Sequence, residues 1–220
     1  LVAADPSGLL EFVHEVTGDA TVVLDAVSIV ARATDEILIQ NPSFEASGSP
    51  AGVGYIQPFQ IAGWEGGAGG RGINVDGEGP FSDNGDVPDQ DRTLFIQNVG
   101  GSVSQQVSGL STGQVYTLVF GINGRNCCGA VPVARVSIND VTLSEEEAVP
   151  VGGRNPFTSK YLTFTADSAD AVIKFEISGP EGADVSLLVD DVHLVPGTRT
   201  PPSITGQPAS QSVNAGEALT

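Results

Sequence analysis

Period-two alternation of apolar and polar residues, broken every few positions by glycine or proline, restricts this chain to short strands. Tyr116, Leu118 and Phe120 share one face of a run, and Ile173, Phe175 and Ile177 share one face of another. Successive strand side chains point to opposite sides, so such runs bury one face and wet the other. Glycine (28) and proline (14) place turn-formers at 42 of 220 positions, which disfavours long helices. Strands are expected near 37–40, 93–97, 102–107, 115–122, 131–139, 160–165, 171–177 and 185–195. Eight strands without a helical period build an antiparallel two-sheet sandwich. The stretch from Gly48 to Asp91 lacks the alternation, and loops of that length are functional or flexible.

An internal repeat organises the rest. Residues 10–30 (LEFVHEVTGDATVVLDAVSIV) align with 173–195 (IKFEISGPEGADVSLLVDDVHLV). Phe12 matches Phe175, Leu24 matches Val189, Asp25 matches Asp190, Val27 matches Val192 and Ile29 matches Leu194. Each segment reads as a terminal β-hairpin. Residues 1–33 are therefore expected to be the C-terminal hairpin of a preceding, similar sandwich, and 36–196 a complete domain. A proline-rich linker (197–203) follows, and 204–220 resembles the start of an immunoglobulin-like domain. The chain reads as a cut through a tandem array.

Charge narrows the partners. Nine Lys plus Arg against 27 Asp plus Glu give a net charge of −18. Such a field repels phosphate backbones and anionic headgroups, so neither nucleic acid nor a membrane surface is an expected partner. No run of about 18 apolar residues is present to span a bilayer. The two cysteines, Cys127 and Cys128, are adjacent, which is neither a disulfide framework nor a CxxC motif. A vicinal disulfide, two buried thiols and an interchain bond all stay open.

Five stretches carry a family resemblance: NPSFE (41–45), Gly63-Trp64, PDQDRTLFIQ (88–97), GSVSQQVSGLSTGQVYTLVF (101–120) and LLVDDVHL (187–194). Together they resemble the galactose-binding-like jelly rolls, among them the non-catalytic carbohydrate-binding modules of secreted bacterial multidomain proteins. The resemblance implies an all-β, antiparallel two-sheet jelly-roll β-sandwich, an extracellular or cell-surface setting and a structural calcium ion. It also places Glu45 and Asp190 together at one rim as calcium ligands. Strand parity is consistent with this: Asp190 falls in phase with Val192 and Leu194, and a carboxylate in core phase needs a partner or a cation. The loop holding Asp76, Glu78, Asp83, Asp86, Asp89 and Asp91 is read as a solvated acidic loop, with Asp86 a third candidate ligand.

A sugar site needs an exposed aromatic platform and planar polar partners. Trp64, Arg71 and Arg125 are the candidates, set against a reading in which Trp64 plugs the sandwich end. Neither His14 nor His193 accompanies a nucleophile motif, and Glu145–Glu147 read as a charged solvent turn, so no enzyme is expected. Two functions follow. One is a calcium-stabilised structural or adhesive unit of an extracellular fibre, exchanging strands with neighbouring copies or adjacent domains. The alternative is a polysaccharide-binding module appended to a secreted glycan-active enzyme.

Overall fold

The structure is a computed structural model that describes residues 37–47, 60–77, 85–125, 131–148, 156–179, 182 and 184–203. The chain divides into two units, Leu1–Ala31 and Arg32–Thr220, and every described residue lies in the second. The expectations for 1–33, 204–220, Cys127 and Cys128 fall outside the described residues.

Among the described residues every regular element is a strand. In chain order these are β1 (Glu65–Gly66), β2 (Gly70–Val75), β3 (Arg92–Gln97), β4 (Ser102–Ser108), β5 (Val115–Gly124), β6 (Val133–Ile138), β7 (Val141–Glu147), β8 (Thr158–Thr165), β9 (Asp170–Ser178) and β10 (Ser186–Pro196). They form two antiparallel five-stranded sheets, in the orders β1-β4-β9-β6-β7 and β2-β3-β10-β5-β8. This is the expected jelly-roll β-sandwich.

The core lies between the sheets. Phe44, Leu94, Ile96, Leu118, Ile173, Phe175, Leu187, Val189, Val192 and Leu194 are completely buried there. Phe120 meets Phe175 edge-on at 5.0 Å and 73°, the orientation that suits two ring quadrupoles. Asn139 and Asp140 both take positive φ (49° and 61°), the two-residue turn whose twist matches paired antiparallel strands, and they join β6 to β7.

Four sequence expectations need correction. The strand expected near 37–40 is a single bridge, Ile37 to Leu194. The 173–195 segment is not a hairpin: β9 is central in one sheet and β10 is central in the other. Each strand buries its apolar face against the opposite sheet. Glu145–Glu147 are the end of edge strand β7, paired to Val133–Arg135, and not a turn. Finally, β1 and β2 lie within the stretch read as irregular. Gly70, Gly72 and Asn74 hide the alternation of β2 there.

Candidate binding face and cation rim

β10 carries the feature that decides the site. Its pairing with β5 slips between Asp190 and His193, and Asp191 sits at φ 53°. This bulge inserts a residue and reverses the side-chain phase. Val189 and Val192 therefore both enter the core, while Asp190 turns to the outer face of its sheet. The parity argument for Asp190 is thus overturned: it is not on the face of Val192 and Leu194. It is nevertheless fully buried.

Asp190 Oδ2 accepts the Asp89 backbone N–H at 2.9 Å, and Oδ1 has no hydrogen-bond partner. Burial pushes this carboxyl from 3.8 up to about 8, against the pull of the Asp89 and Asp191 backbone N–H groups. Asp89 is fixed in turn by Ser43, whose hydroxyl donates to Oδ2 at 2.5 Å. Two residues on, the Asp91 N–H donates to Glu45 Oε1 at 2.9 Å, and Arg92 Nε stands 3.5 Å from Glu45 Oε2. One short loop segment, 89–92, therefore touches both Glu45 and Asp190. Asp86 is exposed on the same loop, and the residue in contact with Asp190 is Asp89. Among the described residues no three acidic, histidine or cysteine side chains converge on one point.

The outer face of the β2-β3-β10-β5-β8 sheet is organised in rows across the strands. One row runs Gly70, Gln97, Ser186 and Arg125, the last joined by its N–H to Ser186 O at 2.9 Å. The next runs Gly72, Phe95, Leu188 and Asn123, with Phe157 packed on Phe95 and Leu188. A third holds Asn74 opposite Thr93, then Asp190 opposite Gly121 and Gly121 opposite Ser159. Phe95 belongs to this face and not to the space between the sheets. Gly72 is required beside it, since a Cβ there would stand 2.5 Å from Phe95 Cζ.

Most of these rows are buried although they lie outside the sandwich core; Ser159, at the β8 edge, is exposed. Asp190, Ser186 and Phe95 are 0% exposed, and Gln97 and Arg125 are 7% exposed. Pro88 is one cover, because a Cβ on Gly121 would lie 2.8 Å from its Cγ. Asp190 Oδ1, Ser186 Oγ and Arg125 Nε are all buried on this face without a hydrogen-bond partner. Ser178 Oγ, on the other sheet, also lacks one, but it lies beside Glu145. That carboxyl is held below its usual range by Ser178 and then by Arg135.

The three proposed sugar contacts separate. Trp64 is buried against Phe44 (5.6 Å) and Phe175 (5.9 Å), and its Nε1 donates to Asn41 O at 3.2 Å. It is the plug and presents no stacking platform. Gly63, at φ 80°, lets the chain turn into it; a Cβ there would stand 2.8 Å from Gln40 Cβ. Arg71 donates to Gly67 O at 3.1 Å and lies along Gly66, beside an open cleft of about 740 Å³ lined by Ser47, Gln60, Trp64 and Glu65. Ser47 Oγ is occupied by Asn41 and Ala62. Arg125 belongs instead to the outer face, where Nη2 meets Asp184 Oδ1 at 2.6 Å.

No family model matches the chain, and no curated protein matches it. Solved structures do. The Stig cyclase FisC from Fischerella sp. TAU, in complex with (3Z)-3-(1-methyl-2-pyrrolidinylidene)-3H-indole, superposes with a TM-score of 0.54 at 17% identity, covering 75% of this chain and 98% of that one. An apo cyclase from Fischerella sp. gives 0.55 at 17% identity, over 76% and 98%. The CBM22-1 xylan-binding domain of Paenibacillus barcinonensis Xyn10C gives 0.44 at 14% identity, over 78% and 100%. At these identities the likeness to the cyclases is one of fold: a jelly-roll sandwich of matching extent.

Proposed function

We propose that this chain is a non-catalytic, calcium-stabilised module of a secreted or cell-surface protein, binding polysaccharide on the outer face of the β2-β3-β10-β5-β8 sheet. One observation carries the reading: three bare polar atoms, Asp190 Oδ1, Ser186 Oγ and Arg125 Nε, lie buried on the same face. A sheet covered only for stability pairs such atoms or replaces them with apolar ones, since each costs about 1–3 kcal/mol unpaired. The polar, apolar, polar order of the rows suits a sugar, which offers hydroxyls at its rim and C–H groups on its faces.

Calcium fits the Asp190 rim by the same criterion. A buried carboxylate with a free oxygen is costly when ionised, and a hard cation supplies the missing charge. Asp190 and Asp89 are the residues that would hold it, with Glu45 fixed at the same rim through Asp91. The fibre unit expected from the repeat has its motive in residues 1–33, outside the described residues, and no described residue favours it.

Affinity electrophoresis against a panel of neutral and acidic polysaccharides, run in calcium and in chelator, tests the proposal. Retardation by at least one polymer is expected, and migration unchanged by every polymer overturns it.

A further inference from the structure

We infer that the open cleft beside Arg71 is a second binding site, which takes the carboxylate of an acidic mono- or disaccharide. β1 and β2 are edge strands of opposite sheets, and Arg71 spans the gap between them. Gly70, Gly72 and Asn74 of β2 belong to the outer face, so Arg71 stands with Ile73 on the inner side, opposite Ile96. Its Nη1 crosses to Gly67 O at 3.1 Å. The guanidinium rests where a Gly66 side chain would be, since a Cβ there would lie 1.7 Å from Arg71 Cζ. That leaves Nε–H and Nη2–H, the parallel pair that grips a carboxylate with two hydrogen bonds. Among the described residues neither has a partner.

A free arginine edge is out of keeping with this chain, which has 27 acids to nine bases. Arg92, Arg125, Arg135, Lys160 and Lys174 each meet a carboxylate. Arg71, half-buried, does not. Glu65 lines the same cleft, but its pairing with Ser104 sets it on the outer face of its sheet, beside Lys174. Glu45, next to the lining residue Ala46, is held by Arg92 and the Asp91 N–H. The missing anion therefore comes from outside. Volume and lining give its class. About 740 Å³ is more than one carboxylate fills and lies within the range of small-molecule sites, about 300–1,000 Å³. Ile61 and Trp64 offer apolar wall, and Gln60 with the main chain of Gly63 and Gly66 offers polar wall, which suits a ring bearing hydroxyls. One arginine admits one carboxylate.

Trp64 is the one tryptophan of the chain and lines the cleft, so its emission reports on occupancy. The chain is titrated in chelator, which removes any calcium-bridged contact, with galacturonate, digalacturonate, galactose and a tetraglutamate peptide. Fluorescence and calorimetry follow the binding. Both uronates should bind and shift the emission, and galactose should do neither. Arg71→Gln should weaken uronate binding roughly 10- to 100-fold, the loss of a charged two-bond contact. Arg71→Lys keeps the charge without the fork and should recover only part of it. Gly66→Ala should also weaken it with Arg71 in place, because the new methyl displaces the guanidinium.

Equal response to galactose, or no response to either uronate, overturns the site. Uronate binding that leaves Trp64 emission unmoved and ignores Arg71→Gln lies elsewhere and overturns it as well. Stronger binding of the peptide overturns the sugar class and assigns the cleft to a protein partner. If Arg71→Gln does not fold, the contrast between uronate and galactose in the unaltered chain still decides. Retardation by a neutral polysaccharide should be unchanged in Arg71→Gln, so this site and the outer-face reading can fail separately.

Discussion

The outer faces of the two sheets answer to the same alternation in the sequence and end in opposite environments. On the β1-β4-β9-β6-β7 sheet the face is wet. Val172 is 39% exposed, Arg135 reaches Glu145 at 2.9 Å and Glu176 at 3.0 Å, and Lys174 pairs with Glu176. Charges there find partners or water, and long flexible side chains dominate. The other sheet carries mostly short, uncharged or aromatic residues outward, and two of its ionisable members, Asp190 and Arg125, are buried with bare atoms. Both sheets face outward, yet the second is closed to water around Asp190, Ser186 and Phe95 and wet toward β8, where Ser159, Thr163 and Thr165 are exposed. Around Asp190, Ser186 and Arg125 that face is closed to water without being internally satisfied.

The largest test of the contrast is a pair of truncations. Phe95→Ala should destabilise by about 3–5 kcal/mol, as for a core aromatic. Val172→Ala, on the wet face, should change stability by no more than about 0.5 kcal/mol. Denaturant unfolding measures both, and equal small losses would erase the distinction between the faces.

Next is the pH dependence in chelator. Asp190 is raised in the folded state, from 3.8 to about 8, so the folded chain holds a proton that the unfolded chain releases. Stability from this group is therefore fully present below about pH 4 and falls as pH rises toward about 8, at up to about 1.4 kcal/mol per pH unit. Millimolar calcium should flatten that slope and raise the melting temperature near neutrality. Thermal scans across the range, with and without calcium, check the sign.

Asp190→Asn sharpens the same point. Its amide oxygen retains the Asp89 N–H bond without a charge to bury. The variant should melt higher than wild type in chelator at pH 8, and lower than wild type in calcium. A calcium response left intact in this variant would move the cation elsewhere.

The smallest effect is expected on the wet face. Arg135→Gln should lower the melting temperature slightly at low ionic strength and not at all in about 1 M salt, since exposed pairs are screened.

Much of the fold is legible in the residues. β3, β4, β5, β6, β8, β9 and β10 follow from alternation and turn chemistry, because those strands bury one face and wet the other or bury both with apolar residues. β2 escapes, since Gly70, Gly72 and Asn74 occupy its outward positions and erase the contrast. β7 escapes because both its sides are largely wet. The site is less legible. Trp64 draws attention as the one tryptophan, yet its indole is needed to close the sandwich. Asp89 lies within the quoted PDQDR stretch, but five other carboxylates nearby conceal which of them turns inward. Ser186 lies in no motif, and Gln97 only closes the PDQDRTLFIQ stretch; their alternation with Leu188 and Phe95 alone hints at a shared face.

By itself, the sequence determined the class of architecture, since period two and dense turn-formers leave little but paired strands. It also singled out Asp190 as a candidate ligand, though by a strand parity that the fold reverses. Tertiary structure decided which side that carboxylate faces, because one inserted residue at Asp191 reverses the phase of everything before it. It decided as well that β9 and β10 part into different sheets. Local periodicity says which residues avoid water, and only packing says against what.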